Sequence, residues 1–511
     1  MGLGRTHAVA LSGVEGHLVQ VEAHMAQGLP AMTMSGLPDA ACSRAPSRIR
    51  AAVEDCGLVI PQRRWTINLT PAWLPKTGSG FDLGIAVAQL VVTEVVPPDV
   101  AESVVHIGEL GLDGAVRPVT GVLPMVAAAA AAGMPAVIVP HANAGEAALV
   151  PGIRVYAAAS LREVIDLHLA VHHGAAPAPL RVPEPDPGTD RVPDLRDVVG
   201  QPEARAALEV AAAGRHHMLM VGAPGAGKTM LAERLPGLLP VLDRAEALEV
   251  TAVHSVLGAL DGADSLVSRA PFVAPHHGAS MAAVIGGGSA RVRPGAVSRA
   301  HRGVLFLDET PEFRRDVLDG LRQPLESGEV VIARADRQTR LPARFQLVAA
   351  ANPCPCGRGI GKGEHCECTP LARRTYFGKL SGPLLDRIDV RVSLLPVTRT
   401  ALSGPPGEPT LEVARRVSAA RERQRERWAG TPWTVNAEVP GSLLRGDHWR
   451  LPRGATAPLE TAMDRGELTL RGYDRCVRVA WTLADLAGAD RPGAEHLWQA
   501  LALRTSSEVA A

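Results

Sequence analysis

The stretch HHMLMVGAPGAGKTML, residues 216–231, decides what kind of fold this chain adopts. Residues 218–221 are wholly apolar and read as a short buried strand. Gly222, Ala223, Pro224, Gly225, Ala226, Gly227, Lys228 and Thr229 then fit the phosphate-loop pattern, a glycine-rich turn closing on Lys and Thr. Its glycines let backbone N–H groups point inward around a polyphosphate. Lys228 supplies a point charge to the β- and γ-phosphates, and Thr229 a hydroxyl for Mg²⁺. The next residues start a helix whose N-terminal dipole favours the same anion. This pattern predicts a nucleoside triphosphate site.

Composition sets the frame. At 511 residues the chain is long for one core, and about three domains are expected. Apolar residues make up 46% and aromatics 3%, so Val, Leu, Ile and Ala must do the packing. The 53 basic and 53 acidic residues balance, which excludes a globally basic nucleic-acid binder but not a local basic loop. The N-terminal MGLGRTHAVAL lacks a signal-peptide core, and no charge-free run of membrane-spanning length occurs, so a soluble cytoplasmic protein is expected. Of seven cysteines, four lie between 354 and 368, a spacing that suggests a metal rather than disulfides.

Working outward, residues 303–309 read GVLFLDE, an apolar strand closed by two carboxylates. A buried parallel strand delivers its C-terminal residues to the phosphate loop. Asp308 is therefore expected near Mg²⁺, with Glu309 orienting and deprotonating the attacking water. A third strand, 345–350, ends at Ala351 and Asn352, whose amide can hold the γ-phosphate or its water. Residues 1–173 mix strands and helices: 65–69 alternates apolar and polar residues, 81–92 is an apolar helix, and 125–139 reads as helix, turn and strand. Residues 174–194, with prolines at 177, 179, 183, 185, 187 and 193, read as a semi-rigid linker. Residues 195–396 form the nucleotide core and 397–511 a helical lid.

HHMLMVGAPGAGKTML, APHHGASMAAVIGGG, NPCPCG and LSGPLLDRID together resemble the ComM/YifB-type magnesium-chelatase-like AAA+ ATPases. VEAHMAQGLPAMTMSGLPDAA, INLTPAWLPKTGSGFDLGIAVAQL and GELGLDGAVRPVTGVLPM are similar to that family's N-terminal domain, itself related to the Lon protease fold. The implied architecture is α/β: a P-loop AAA+ core with a parallel sheet and C-terminal helical lid, preceded by an α+β Lon-protease-like (ribosomal S5 domain 2-like) domain. The implied activity is ATP hydrolysis by a homo-hexameric motor on DNA, promoting branch migration in recombination and natural transformation. By the same resemblance, residues 197–201 line the adenine pocket and Asn352 acts as sensor 1. Arg387 in LLDR is the finger reaching a neighbouring subunit's nucleotide, and Arg471 in RGYDR is sensor 2. Taken alone, Arg387 would instead pair internally with Asp386 or Asp389.

The Lon relation raises a Ser–Lys peptidase as a rival. In the aligned PKTGSGFDLGI, Asp82 stands where that family has its serine, and Leu123 stands at the lysine. A leucine cannot take a proton, so the domain is expected to be an inactive scaffold, although Lys76 and Ser79 lie close by in sequence. A magnesium-chelatase subunit acting on porphyrin is the other alternative.

No acidic residue occurs between 271 and 307, a segment holding Arg291, Arg293, Arg299 and Arg302. Residues 329–344, EVVIARADRQTRLPAR, read as a hairpin carrying Arg337 and Arg340. Glycines and arginines without competing carboxylates suit a phosphate backbone, and Arg291, Arg293, Arg337 and Arg340 are the expected DNA contacts; subunit bridging is the plainer alternative. Cys354, Cys356, Cys366 and Cys368, spaced C-x-C-x9-C-x-C, meet the four-ligand requirement of structural Zn²⁺, with His365 as a substitute ligand. Cys42, Cys56 and Cys476 read as small hydrophobes.

Overall fold

The computed structural model describes residues 2–175, 177–180, 192–260, 266–288, 292–333, 338–359 and 366–505. Most of the expected proline linker, His365, Arg291 and Arg337 lie outside these residues.

The N-terminal part is built on a mixed seven-stranded sheet, in the spatial order 31–35, 64–70, 15–26, 3–12, 104–106, 136–140, 154–158. Leu3–Ser12 and Glu15–Ala26 form a long antiparallel hairpin, and the three strands beyond Leu3–Ser12 run parallel. The alternation in Arg64–Thr70 is realised as Trp65, Ile67 and Leu69 facing inward, each at most 2% exposed. Each such side chain contributes about 1.5–3 kcal/mol by burial. The helix Asp82–Val92 is buried at every position but its last and lies against the first strand. Gly4 permits that approach, since a Cβ there would stand 2.1 Å from the Ala88 carbonyl oxygen. The alanine-rich stretch resolves into the helix Val122–Ala131, a turn, and the strand Ala136–Pro140.

The nucleotide core is a five-stranded sheet, parallel throughout, in the order Phe272–Val273, Val304–Leu307, Gln346–Ala351, Met218–Gly222, Val390–Leu394. The three central strands are buried along their whole length, as continuous apolar runs in a sheet covered on both faces require. Pairing of Leu307 with Ala349 and of Val221 with Ala351 brings three strand ends, and the residues just past them, to one edge. Helices Pro202–Gly214 and Lys228–Leu238 join the same apolar cluster as the C-terminal helices.

The C-terminal part is helical: Thr410–Arg427, Arg453–Asp464, Leu470–Ala487 and Ala494–Thr505. Trp449 sits between Trp428 and Trp481, at ring centroid distances of 4.7 and 5.7 Å. Arg475 ties this part to the core through Asp389 at 2.5 Å, and Gln424 donates to the Ala213 carbonyl at 3.1 Å. The N-terminal part meets the core where Gly121 N–H donates to the Ser255 carbonyl at 3.0 Å and the Ser255 hydroxyl donates to Glu146. No helix among the described residues is long and apolar enough to cross a membrane.

Candidate nucleotide site and cysteine cluster

Gly222 ends the central strand, and the loop turns through Gly225 (φ +80°) and Gly227 (φ +93°) into the helix beginning at Lys228. Those left-handed backbone angles favour glycine and aim successive N–H groups into one concavity. The Lys228 ammonium donates to the carbonyls of Gly222 (2.6 Å) and Ala223 (3.0 Å) and to the Asn352 side-chain oxygen (3.0 Å). Burial lowers its pKa, against the opposing pull of Asp308 and Glu309. The Thr229 hydroxyl donates to Asp308 Oδ2 at 2.9 Å, while Asp308 Oδ1 accepts the Glu309 N–H, also at 2.9 Å. Lys228, Thr229, Asp308 and Asn352 thus come from three separate strands to one hydrogen-bonded cluster.

Glu309 stands beside this cluster with an exposed carboxylate and a left-handed backbone (φ 47°, ψ 44°), uncommon for a residue with a Cβ. The Thr310 hydroxyl bonds the Leu307 and Ala350 carbonyls at 2.8 and 3.0 Å, which pins the turn. Three contributors are not visible in the sequence pattern. His277 Nδ1 lies 3.3 Å from Glu309 Oε2. Tyr376 is buried against the Asn352 backbone, and burial pushes its phenol up to about 12. Gln201 donates to the Ala226 and Leu395 carbonyls at 3.3 and 2.6 Å, tying the 197–201 segment to the phosphate loop. Only the long-range fold brings the first two into place, while Gln201 falls within a segment expected at the adenine.

Arg387 is nearly buried within its own chain. Its side chain pairs with Glu326 and donates to the Pro383 carbonyl at 2.6 Å. This corrects the internal pairing expected from sequence: the partner is neither Asp386 nor Asp389. Asp386 is engaged by Arg504 (3.2 Å) and Arg471 (3.8 Å), and Asp389 by Arg475. Arg471 is exposed at the start of the helix Leu470–Ala487.

The four cysteines converge. Sγ of Cys354 lies 3.3 Å from that of Cys356 and 3.6 Å from that of Cys366, Cys356 and Cys366 are 3.7 Å apart, and all four sulfurs fall within 4.8 Å of one another. Four thiolates at 2.3 Å from a tetrahedral Zn²⁺ would stand about 3.8 Å apart, so the donor set and its spacing fit that ion. Burial pushes the Cys354 thiol up to about 12, whereas a backbone N–H at Arg358 draws Cys356 down to about 6. Gly357 (φ +75°) presses this loop onto the phosphate loop: a Cβ there would meet Pro224 Cδ at 2.7 Å.

The peptidase positions of the N-terminal part are differently arranged. Arg48 grips both oxygens of Asp82, at 2.6 and 2.8 Å, and the Leu110 N–H adds a third contact at 3.3 Å. Burial still raises the Asp82 pKa against this pairing. The Ser79 hydroxyl is taken by Glu109 and the Lys76 ammonium by the Pro71 carbonyl, so the two have separate partners. Leu123 is buried.

Of the arginines expected to face DNA, Arg293 is exposed opposite Gly287 in a short antiparallel pair. Glu329–Ala333 and Gln338–Pro342 form the expected hairpin, where Arg340 pairs with Glu329 at 2.5 Å. The expectation of arginines without competing carboxylates is corrected at Arg302, which reaches Glu246 and Glu249 at 3.1 and 2.9 Å on the helix Arg244–Leu257. Local sequence could not show those carboxylates.

Known families match most of the chain's length. Residues 194–402 match the family described as magnesium chelatase, subunit ChlI; residues 21–143 match subunit ChlI of Mg-chelatase, and 407–504 the ChlI C-terminal family. An uncharacterized protein of Mycobacterium tuberculosis is 50% identical over 504 residues, covering 99% of each chain. The competence protein ComM of Haemophilus influenzae is 40% identical over 511 residues, covering 99% of this chain and 98% of its own. The uncharacterized protein YifB of Escherichia coli is 39% identical over 508 residues, with 99% and 97% covered.

Proposed function

The chain belongs to the ComM and YifB family of magnesium-chelatase-like ATPases, and on that premise we propose that it is an ATP-driven homo-hexameric motor acting on DNA in the cytoplasm. The observation that carries the ATPase reading is the junction of Lys228, Thr229, Asp308 and Asn352 at the ends of three parallel strands. The loop N–H groups and Lys228 bind the phosphates, with Lys228 exchanging neutral carbonyl partners for an anion. Thr229 and Asp308 hold Mg²⁺, which supplies charge neutralisation at the β- and γ-oxygens. Glu309 takes the proton of the attacking water, and Asn352 orients that water or the γ-phosphate. Arg387 leaves Glu326 to meet the neighbouring subunit's nucleotide, and Arg471 reports nucleotide state to the lid.

The DNA reading has separate support. The Haemophilus relative is named a competence protein, and Arg293 and Arg340, with Arg291 and Arg337, lie on two insertions of the core. Branch migration or strand separation in recombination or transformation is the activity we assign. The test measures phosphate release with forked DNA, with unfolded protein and with porphyrin. Stimulation by forked DNA together with strand movement is expected; stimulation by either other substrate alone would overturn the assignment. The cysteine cluster is assigned a structural role, and elemental analysis of protein purified without chelators should find about one zinc per chain.

A further inference from the structure

His277 sits where the first insertion leaves the nucleotide core, four residues beyond the strand Phe272–Val273. Its Nδ1 lies 3.3 Å from Glu309 Oε2, and among the described residues no other side chain is within ion-pair distance of that carboxylate. The ring is held on two sides. Phe313, buried just after the Glu309 turn, meets it edge-on at 6.5 Å between centroids, and His276 lies against it at 4.1 Å. His276 is itself fixed, because its Nδ1 accepts the Gly278 N–H at 3.1 Å. The imidazole is therefore placed against the glutamate by packing.

Beyond His277 the chain enters the segment expected to touch DNA. Ser280 caps the short helix Met281–Val284, whose first residue packs against Gly320. The Gly286–Gly287 pairing with Arg293–Pro294 comes next, and Ile332 of the second hairpin lies beside Gly286. Nine residues thus separate the imidazole from a glycine pair opposite an exposed arginine. A displacement of the insertions reaches His277 along a continuous packed path.

A carboxylate serving as general base needs a free oxygen facing the water. An imidazole N–H on Oε2 occupies that oxygen and lowers its basicity. The left-handed backbone of Glu309 marks a residue held in a sparsely populated conformation, one that relaxes when the constraint is lifted. We propose that His277 is a latch: it holds Glu309 in an idle position in the resting chain, and engagement of the insertions by nucleic acid withdraws it. This rests on the reading of Glu309 as the water-activating base.

The experiment uses the full-length protein and compares the wild type, His277→Ala, His277→Asn, Glu309→Gln and the His277→Ala/Glu309→Gln double variant. Steady-state ATP hydrolysis is measured with and without forked DNA. For His277→Ala we expect a kcat without DNA that is raised severalfold, an unchanged KM for ATP, and a DNA stimulation ratio falling towards one. His277→Asn keeps an N–H donor at similar reach and should restore the low basal rate, which separates the contact from simple loss of packing. A basal kcat for His277→Ala equal to or below that of the wild type, in protein with an unchanged melting temperature, overturns the latch. So does undiminished DNA stimulation in that variant. Should Glu309→Gln or the double variant keep full hydrolysis, the base assignment fails instead, and the two failures are told apart.

Discussion

Asp308 and Asp82 sit in two parts of one chain, and their carboxylates are satisfied in opposite ways. Asp82 is sealed: a guanidinium fork covers both oxygens and a backbone N–H adds a third contact. Asp308 holds a threonine hydroxyl and the next residue's N–H, and its neighbour Lys228 rests on carbonyls and an amide. Every partner in the second cluster is neutral. Neutral hydrogen bonds, each worth about 1 kcal/mol net, are readily exchanged for charge-assisted bonds to phosphate and metal. A buried ion pair is not so exchanged, because removing one partner strands a charge. The difference between a binding site and a closed structural cluster lies in the charge of the resting partners.

The comparison predicts the largest loss at the open cluster. Lys228→Ala should abolish ATP turnover, read as phosphate release, because no other cation lies in residues 222–229; retained turnover would break the contrast. Arg387→Ala comes next. A guanidinium meeting the transferring phosphoryl contributes roughly 10³–10⁵ in rate in related systems, so nucleotide binding should persist while turnover falls by that order. Mixing Arg387→Ala with Glu309→Gln subunits should regain activity above either alone. Co-assembled but inactive mixtures would leave Arg387 as the internal partner of Glu326.

At the sealed cluster the effect should fall on stability. Asp82→Ala leaves Arg48 without its carboxylate and should cost about 3 kcal/mol in unfolding free energy, with ATP hydrolysis intact in the folded fraction. Replacing both partners, as in Asp82→Leu with Arg48→Met, should recover much of that loss. A catalytic defect in folded Asp82→Ala protein would show that this cluster is not merely structural.

Local pattern made much of the site legible. The phosphate loop, the GVLFLDE run and Asn352 each carry their meaning within a few residues, and the cysteines announce themselves by spacing. Strand and helix ends moved by a residue or so. Residues 345–350 became Gln346–Ala351, since the Phe345 N–H is spent on the Ala343 carbonyl. What sequence concealed were partners supplied by other elements. Glu326 comes to Arg387 across 61 positions and Arg48 to Asp82 across 34, while Glu246 and Glu249 reach Arg302 from a separate helix. Periodicity has no term for such meetings, which are set by tertiary packing.

The smallest expected effect is shared by both regions. Burial lowers the pKa values of His106 and His168, whose Nε2 atoms meet at 3.0 Å in the N-terminal part. It brings that of His217 to about 4 in the core, where Nδ1 accepts the Leu347 N–H. The unfolded chain, titrating near 6.5, binds more protons than the native one between about pH 4 and 6.5. Stability in that window therefore rises with pH, and the melting temperature should fall by several degrees from pH 7 to pH 5. Replacing His217 by Asn should flatten the dependence in part, and a melting temperature unchanged by acid would contradict the burial argument.

Gly357 and Pro224 belong to different motifs, one to the cysteine loop and one to the phosphate loop, yet they share a single packing contact. Position 357 is barred to a side chain twice over, by its backbone angle and by the proline ring facing it. Substitution at one is therefore tolerable only with compensation at the other, so the two positions should vary together across relatives. The histories of the thiol cluster and of the nucleotide loop are in this sense inherited as one unit.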